Sequence, residues 1–322
     1  MGWEILFSQS STVFPGAWKM RTVYKLLKVR NPGILYVLPA LLFMLFFIAY
    51  PIISNIILSM QEVTVMTLAR PDKPFIGFDN YLQLLQDDVL VLSIFNTLLF
   101  TIASLIFQFI IGLLLALFFN TDFPTAKPIR GLLLIPWMIP ITVTALMFKF
   151  MFTSNVGIIN QLLIAVNIIK NPIDWLTSTN TAMAALIFTN IWIGIPFNMI
   201  LLSVGLTSIP KELYESASID GANRTQSFFQ ITLPMLKSTI ESVLILGFIY
   251  TFKVFDLVFV MTGGGPVNTT QVLSTYSYKL SFSLFRYSDG AAVANILFVI
   301  LFIASLLYLK FINANKTGYG NE

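Results

Sequence analysis

VLVLSIFNTLLFTIASLIFQFIIGLLLALFFNT, residues 89–121, holds no charged side chain in 33 positions. A helix needs about 20 mostly apolar residues to cross a bilayer, so this stretch spans with residues to spare. Comparable uncharged runs are Asn31–Gln61 (31 residues), Gly131–Phe148 (18, with Lys149 interrupting an apolar stretch that continues to Phe152) and Trp175–Pro210 (36, most apolar from Thr181 to Leu206). Ser238–Met261 reads as a fifth span that carries Glu241, Lys253 and Asp256, and Gly290–Leu309 as a sixth. Val156–Ile169 is too short to span, and the rhythm of Ile158, Ile159, Leu162, Leu163 and Val166 predicts a helix lying near the outer interface. The expected fold is an all-α integral membrane protein with six transmembrane helices. Its order is an interfacial N-terminal segment at 1–30, a membrane domain at 31–312 and a tail at 313–322.

Composition agrees. Of 322 residues, 57% are hydrophobic and only 11% charged, with a mean hydropathy of +0.82, against roughly 25% charged in soluble domains. The absence of Cys and His excludes disulfide frameworks, thiolate nucleophiles, the usual zinc sites and His-based acid–base catalysis. The first apolar run is too long for the core of a cleavable signal peptide, so the N-terminus is expected to remain. Lys19, Arg21, Lys25, Lys28, Arg30, Lys127, Arg130, Lys211, Arg224, Lys237, Lys310 and Lys316 all fall on one side of the six-span scheme, 12 of the 19 basic residues. That side is expected to be the cytoplasm, with both termini inside.

One connection on the basic side stands out: IPKELYESASIDGANRTQSFFQITLP, residues 209–234. Pro210 suits a helix start, and Asp220-Gly221 reads as its end, with glycine in the left-handed region. A second helix is expected from Ala222 through Phe228, Phe229 and Ile231 before Leu233-Pro234 turns the chain back. Leu213, Tyr214, Ile219 and Phe228 would form an apolar patch, and the small residues Ser216, Ala217, Ser218 and Ala222 would let another surface approach. Such a patch implies a partner.

Glu215-Ser-Ala-Ser-Ile-Asp220-Gly221-Ala222 followed by Phe228, Ile231, Leu233 and Pro234 resembles the Glu-Ala-Ala…Gly loop of ABC importer permeases of the carbohydrate-uptake branch. Phe252-Lys-Val-Phe-Asp256 with Thr262-Gly-Gly-Gly-Pro266 and Thr269-Thr270 resembles a segment of the maltose- and glycerol-phosphate-type first permease subunit. Two departures are Ser216 in place of Ala and Lys237-Ser238 where a further Pro is common. The resemblance implies the type I ABC importer permease fold with a cytoplasmic coupling helix, in a bacterial or archaeal cytoplasmic membrane. It implies a non-catalytic permease without a cofactor of its own, ATP and Mg being bound by two partner ATPase subunits. No phosphate-binding Gly-x4-Gly-Lys-Ser/Thr loop occurs in the chain. Further implied partners are a second homologous permease, giving a heterodimer, and an extracytoplasmic solute-binding protein that delivers a sugar or oligosaccharide.

By the same resemblance Leu213, Tyr214, Glu215, Ala217, Asp220, Gly221, Ala222 and Asn223 contact the ATPase. The Gly-x-Pro-aromatic segment around Pro196 and the middle of the next helix contribute Gly194, Phe197, Gly247, Tyr250 and Thr251 to the sugar path. Aromatic faces stack on the C–H surfaces of sugars, and hydroxyls exchange hydrogen bonds with them. A packing kink with small interface residues accounts for the same positions. Lys253 and Asp256, three apart, are expected to share a helical face and pair; an anionic sugar or a proton path would use the same charges. The alternative from another class is an ion-coupled secondary transporter working through Glu241 and Asp256.

Overall fold

The computed structural model describes residues 33–70, 72–121 and 124–318. The N-terminal segment 1–30 lies outside the described residues. Helix α1 runs from Gly33–Met44 through a π-turn at Leu45–Ala49 into Tyr50–Ser59. Up to Ile57 it belongs to a separate unit, exposed almost throughout. Everything below concerns the unit that begins at Leu58.

The elements are α2 (Asp79–Leu84), α3 (Asp88–Phe119), α4 (Ala126–Leu132), α5 (Ile135–Met138), α6 (Ile141–Met151) and α7 (Ile158–Ala165). They continue with α8 (Ala182–Thr207), α9 (Lys211–Ile219) and α10 (Arg224–Ser227), the last prolonged by a π-turn at Phe228–Thr232 and by Leu233–Met235. Then come α11 (Lys237–Phe252), α12 (Asp256–Met261), α13 (Leu273–Tyr278) with a π-turn at Lys279–Ser283, and α14 (Tyr287–Gly318). Among the described residues there is no strand, only one bridge between Gln61 and Phe75. Among the described residues, four helices can cross a membrane by length and composition, or six if each of two bent pairs is one span. Each of the six overlaps one of the six spans expected from the sequence.

Two of the spans differ from the sequence expectation. The third is bent by 92° between Pro128–Met138 and Ile141–Met151. Its cause is local: Ile139, directly before Pro140, is driven to an extended ψ of 133° because the proline ring disfavours helix at the preceding residue. The fifth span ends at Phe252 instead of running to Met261, with Lys253 as its C-cap and α12 beginning afresh at Asp256. It also meets the α10 segment at 63°, the break falling directly before Lys237-Ser238. At the far end α14 stays helical through residues 313–318, so the expected tail continues the last helix.

The most extensive helix pairing is α3 with α8, and it is reciprocal. A Cβ on Gly112 would sit 2.6 Å from the Asn198 side chain, and one on Gly194 would sit 2.3 Å from Gln108. Each helix therefore offers a glycine to the other: Gly194 receives the Gln108 amide, and Gly112 the Cβ and backbone of Asn198. Gln108 Nε2 donates to Asn190 O at 2.8 Å and Asn198 Nδ2 to Gly194 O at 2.9 Å. Helix α11 joins by the same means: Gly247 lies against Leu105, where a Cβ would come within 2.6 Å. Lipid tails are as apolar as leucine, so close backbone approach and interhelical hydrogen bonds hold such a bundle together.

At the end of α8 remote from α9, side-chain amides and hydroxyls tie the long connection after α12 to α3. Asn96 Nδ2 donates to Thr269 O at 3.1 Å and Gln271 O at 3.0 Å, and Leu273 N donates to Thr97 Oγ1 at 2.9 Å. Asp87 does two jobs: Oδ1 caps α3 by accepting from Val89 N at 2.8 Å, and Oδ2 accepts from the Tyr276 hydroxyl. Burial and then that carboxylate push the Tyr276 phenol well above its usual range. Asp87→Ala removes the cap and orphans a buried hydroxyl, an expected loss of about 1–3 kcal/mol. In thermal melts of the detergent-purified protein it should lower the apparent Tm more than Tyr276→Phe, which keeps the cap.

Candidate functional site

Helix α8 contains Pro196, and the next residue, Phe197, is half-buried. The α3–α8 and α3–α11 contacts bring Phe197 beside Tyr250, ring centroids 6.2 Å apart and 77° between planes. Trp137 of α5 also stacks on Phe197, at 6.0 Å and 28°. The Lys253 ammonium lies 5.3 Å from the Tyr250 ring centroid, a cation–π arrangement. Tyr250 is 62% and Trp137 53% exposed, so three rings and one cation form a continuous open wall.

The wall carries on along α11. Ser238, Ser242, Leu246, Tyr250 and Lys253, spaced four, four, four and three apart, are all exposed. A stripe with two serine hydroxyls, a phenol and an ammonium does not suit hydrocarbon; it suits a water-lined path or a second polar helix surface.

The structure thus brings two of the five sequence-derived positions, Phe197 and Tyr250, together on an open face. The other three serve packing. Gly194 and Gly247 receive Gln108 and Leu105, and Thr251 is 6% exposed. Trp137 was missed, although Pro136-Trp137-Met138-Ile139-Pro140 carried a signal: two prolines flanking an aromatic residue mid-span. The Lys253–Asp256 pair does not form. Lys253 terminates α11 and leans over Tyr250, while Asp256 occupies the first turn of α12, where a carboxylate complements the helix dipole. Among the described residues the only ion pair is Arg286–Asp289. Glu241 and Asp256, the carboxylates of the ion-coupled alternative, lie on different helices. No cluster of three metal-ligating side chains occurs among the described residues.

At the other end of α8 lies the second candidate, the turn between α9 and α10. Ala222 N donates to Ala217 O at 2.9 Å and Gly221 N to Ser218 O at 3.2 Å, the two bonds of a Schellman motif, with Gly221 at φ +80°. Asn223 then caps α10 in a capping box: its Oδ1 accepts from Gln226 N at 2.9 Å and its N–H donates to Gln226 Oε1 at 2.8 Å. The second helix consequently starts at Arg224, not Ala222. Ile219 is 87% exposed, with Leu213 and Phe229 also outward. Tyr214 is instead half-buried, its hydroxyl 2.9 Å from Thr232 Oγ1. Phe228 is half-buried beneath Phe229, edge to face at 5.0 Å. Glu215, Ala217, Asp220 and Ala222 lie on the same short segment, Glu215 and Asp220 exposed.

A bent, polytopic helical bundle with an aromatic-walled face and a rigid apolar turn is the architecture of a membrane transport subunit. Residues 108–317 match the family described as binding-protein-dependent transport system inner membrane component, and the chain belongs to it. It is 34% identical over 279 residues to the trehalose/maltose transport system permease protein MalF of Thermococcus litoralis, covering 86% of this chain and 92% of that one. It is 34% identical over 280 residues to the sulfoquinovosyl glycerol transport system permease protein SmoG of Agrobacterium fabrum, covering 87% and 90%. Among solved structures, a bacterial alginate ABC transporter in complex with an alginate pentasaccharide-bound periplasmic protein contains a chain similar at a TM-score of 0.74 and 26% identity, covering 91% of this chain and 96% of that one. The fold is that of an ABC importer permease.

The glycine contacts separate packing from path experimentally. Gly194→Ala forces Gln108 aside, an overpacking cost of about 1–3 kcal/mol, and should lower the apparent Tm of the purified protein. Tyr250→Ala, at an open position, should leave the Tm near that of the parent.

Proposed function

We propose that this chain is one permease subunit of an ATP-driven importer of a sugar or oligosaccharide. A second, homologous permease completes the path, two separate ATPase subunits bind ATP and Mg, and an extracytoplasmic solute-binding protein delivers the substrate. The observation that carries the reading is the α9–α10 turn, closed by a Schellman motif and a capping box and presenting Leu213, Ile219 and Phe229 outward. Its neighbours in sequence are the membrane helices α8 and α11, so a push on the turn reaches both. Leu213, Tyr214, Glu215, Ala217, Asp220, Gly221, Ala222 and Asn223 form the ATPase seat. It faces the cytoplasm together with both termini, in keeping with the basic residues on that side.

The sugar path runs along the open wall. Phe197, Tyr250 and Trp137 offer ring faces to the C–H surface of a pyranose, and Ser238, Ser242 and the Tyr250 hydroxyl exchange hydrogen bonds with its hydroxyls. Lys253 adds one cation at the end of the wall remote from the turn. Gly194, Gly247 and Thr251 act indirectly, by setting the distance between the helices that bear the rings. The names of the relatives, which cover neutral disaccharides, a sulfonated glycoside and a polyuronate, support a saccharide and leave its identity to assay.

Two variants test the two halves of this reading in a complex reconstituted with all its subunits. Gly221→Val meets no steric neighbour, yet a β-branched residue at φ +80° costs roughly 1–2 kcal/mol or more, so the turn should reshape. The expected outcome is a stably inserted permease that loses its ATPase on purification or hydrolyses ATP without uptake; full uptake independent of ATP would refute the importer reading. The double variant Phe197→Ala/Tyr250→Ala should assemble normally and transport at a small fraction of the parent rate. Uptake of every sugar at the parent rate would remove the wall from the path.

A further inference from the structure

A cavity of about 430 Å3 opens where the C-terminal end of α6 and the segment before α8 meet the glycine-rich turn after α12. Its lining includes Lys149, Phe152, Ser154, Thr177, Met261 and Pro266. It lies at the end of α8 opposite the α9–α10 turn. Along that helix, Ala182 is already about 22 Å from Phe197 at 1.5 Å per residue, and the cavity shares no lining residue with the aromatic wall. We propose that this cavity is a saccharide-binding subsite of the permease, where the sugar first lodges before it reaches the wall. The proposal rests on the importer reading.

The floor cannot collapse. Phe152 and Met261 belong to a buried cluster with Phe100, Phe148, Leu186 and Leu257. The rim is equally fixed: the Lys149 ammonium donates to Val260 O at 2.9 Å, and the Thr262 and Thr270 hydroxyls lie 2.8 Å apart. An ammonium has three donors, so Lys149 keeps two for a ligand. The Ser154 hydroxyl donates to Asp174 Oδ1, which places one carboxylate next to the rim that carries the Lys149 cation. A site with an apolar floor, hydroxyls around the edge and balanced charge matches a polyhydroxylated ring better than an ion or a lipid tail. The volume falls within the roughly 300–1,000 Å3 of small-molecule sites, enough for one or two sugar rings.

The chain has no cysteine, which permits a direct test in the fully assembled complex. Thr177→Cys, which removes no hydrogen bond seen in the structure, is labelled with a membrane-impermeant maleimide with and without millimolar maltose, trehalose or an alginate disaccharide. The expected result is several-fold protection by at least one of them, retained in a Phe197→Ala/Tyr250→Ala background, while Asp79→Cys is unprotected. Protection that vanishes in that background reports the wall and overturns the subsite. So does a thiol that is never labelled, since the second subunit then covers the cavity. Unchanged labelling in a complex that imports the tested sugar overturns the subsite alone; unchanged labelling with no ATP-driven uptake of any of the three overturns the subsite and counts against the importer reading. A second variant, Thr177→Trp, fills the cavity and should raise the sugar-loaded binding protein concentration needed for half-maximal uptake several-fold, with little change in the maximal rate.

Discussion

The distance between α3 and α8 governs everything else in this molecule. Water is absent from the bilayer core, so apolar side chains gain nothing by leaving lipid for protein. Helices there adhere through close packing and hydrogen bonds. The chain meets that condition with two glycine contacts, Gly112 with Asn198 and Gly194 with Gln108. Both let the backbones approach, and the second also seats the Gln108 amide, which donates across the pair to Asn190 O. Helix α11 is set against the same α3 by Gly247 on Leu105. Phe197 and Tyr250 meet because their helices share this one reference surface. An alanine at either glycine would move the rings without touching them.

The functional features lie where regular helix stops. The break at Ile139-Pro140 turns Trp137 toward Phe197; the end of α11 at Phe252 frees Lys253 to cover Tyr250. Non-helical backbone at membrane depth persists only where protein or water satisfies its polar groups. Asn96, with its two donors to Thr269 O and Gln271 O, is one such group, and Thr97 accepting from Leu273 N is another. The connection after α12 is thereby held by α3, which also sets the spacing of the aromatic wall.

Much of this could be read from the chain itself, because the governing signals are local. Uncharged runs mark the spans, since desolvation acts residue by residue. Asp220-Gly221 marks a helix end, since caps involve neighbours within a few positions, whereas the next start, expected at Ala222, is moved to Arg224 by the Asn223–Gln226 box. The glycines were singled out by motif, but the contacts they make were not legible, because what a glycine faces depends on a distant helix; Gln108 and Gly194, 86 residues apart, are a case in point. The Lys253–Asp256 pairing failed for a related reason: spacing of three implies a shared face only while the helix lasts, and α11 ends between them. Trp137 escaped because the bend that aims it is a property of the assembled fold, although Pro140 explains the bend once seen.

The central claim is that the rigid α9–α10 turn delivers motion from an ATPase to the two membrane helices beside it. Ile219, 87% exposed on that turn, is the position to ask. Ile219→Cys in the cysteine-free chain, treated with a short bifunctional reagent in membranes carrying the whole complex with single-cysteine ATPase variants, reports contact directly. The account predicts a permease–ATPase cross-link whose yield changes when ATP is added and no labelling of position 219 from outside intact cells. A thiol labelled from outside, or one that never cross-links to the ATPase in a transporting complex, would contradict it.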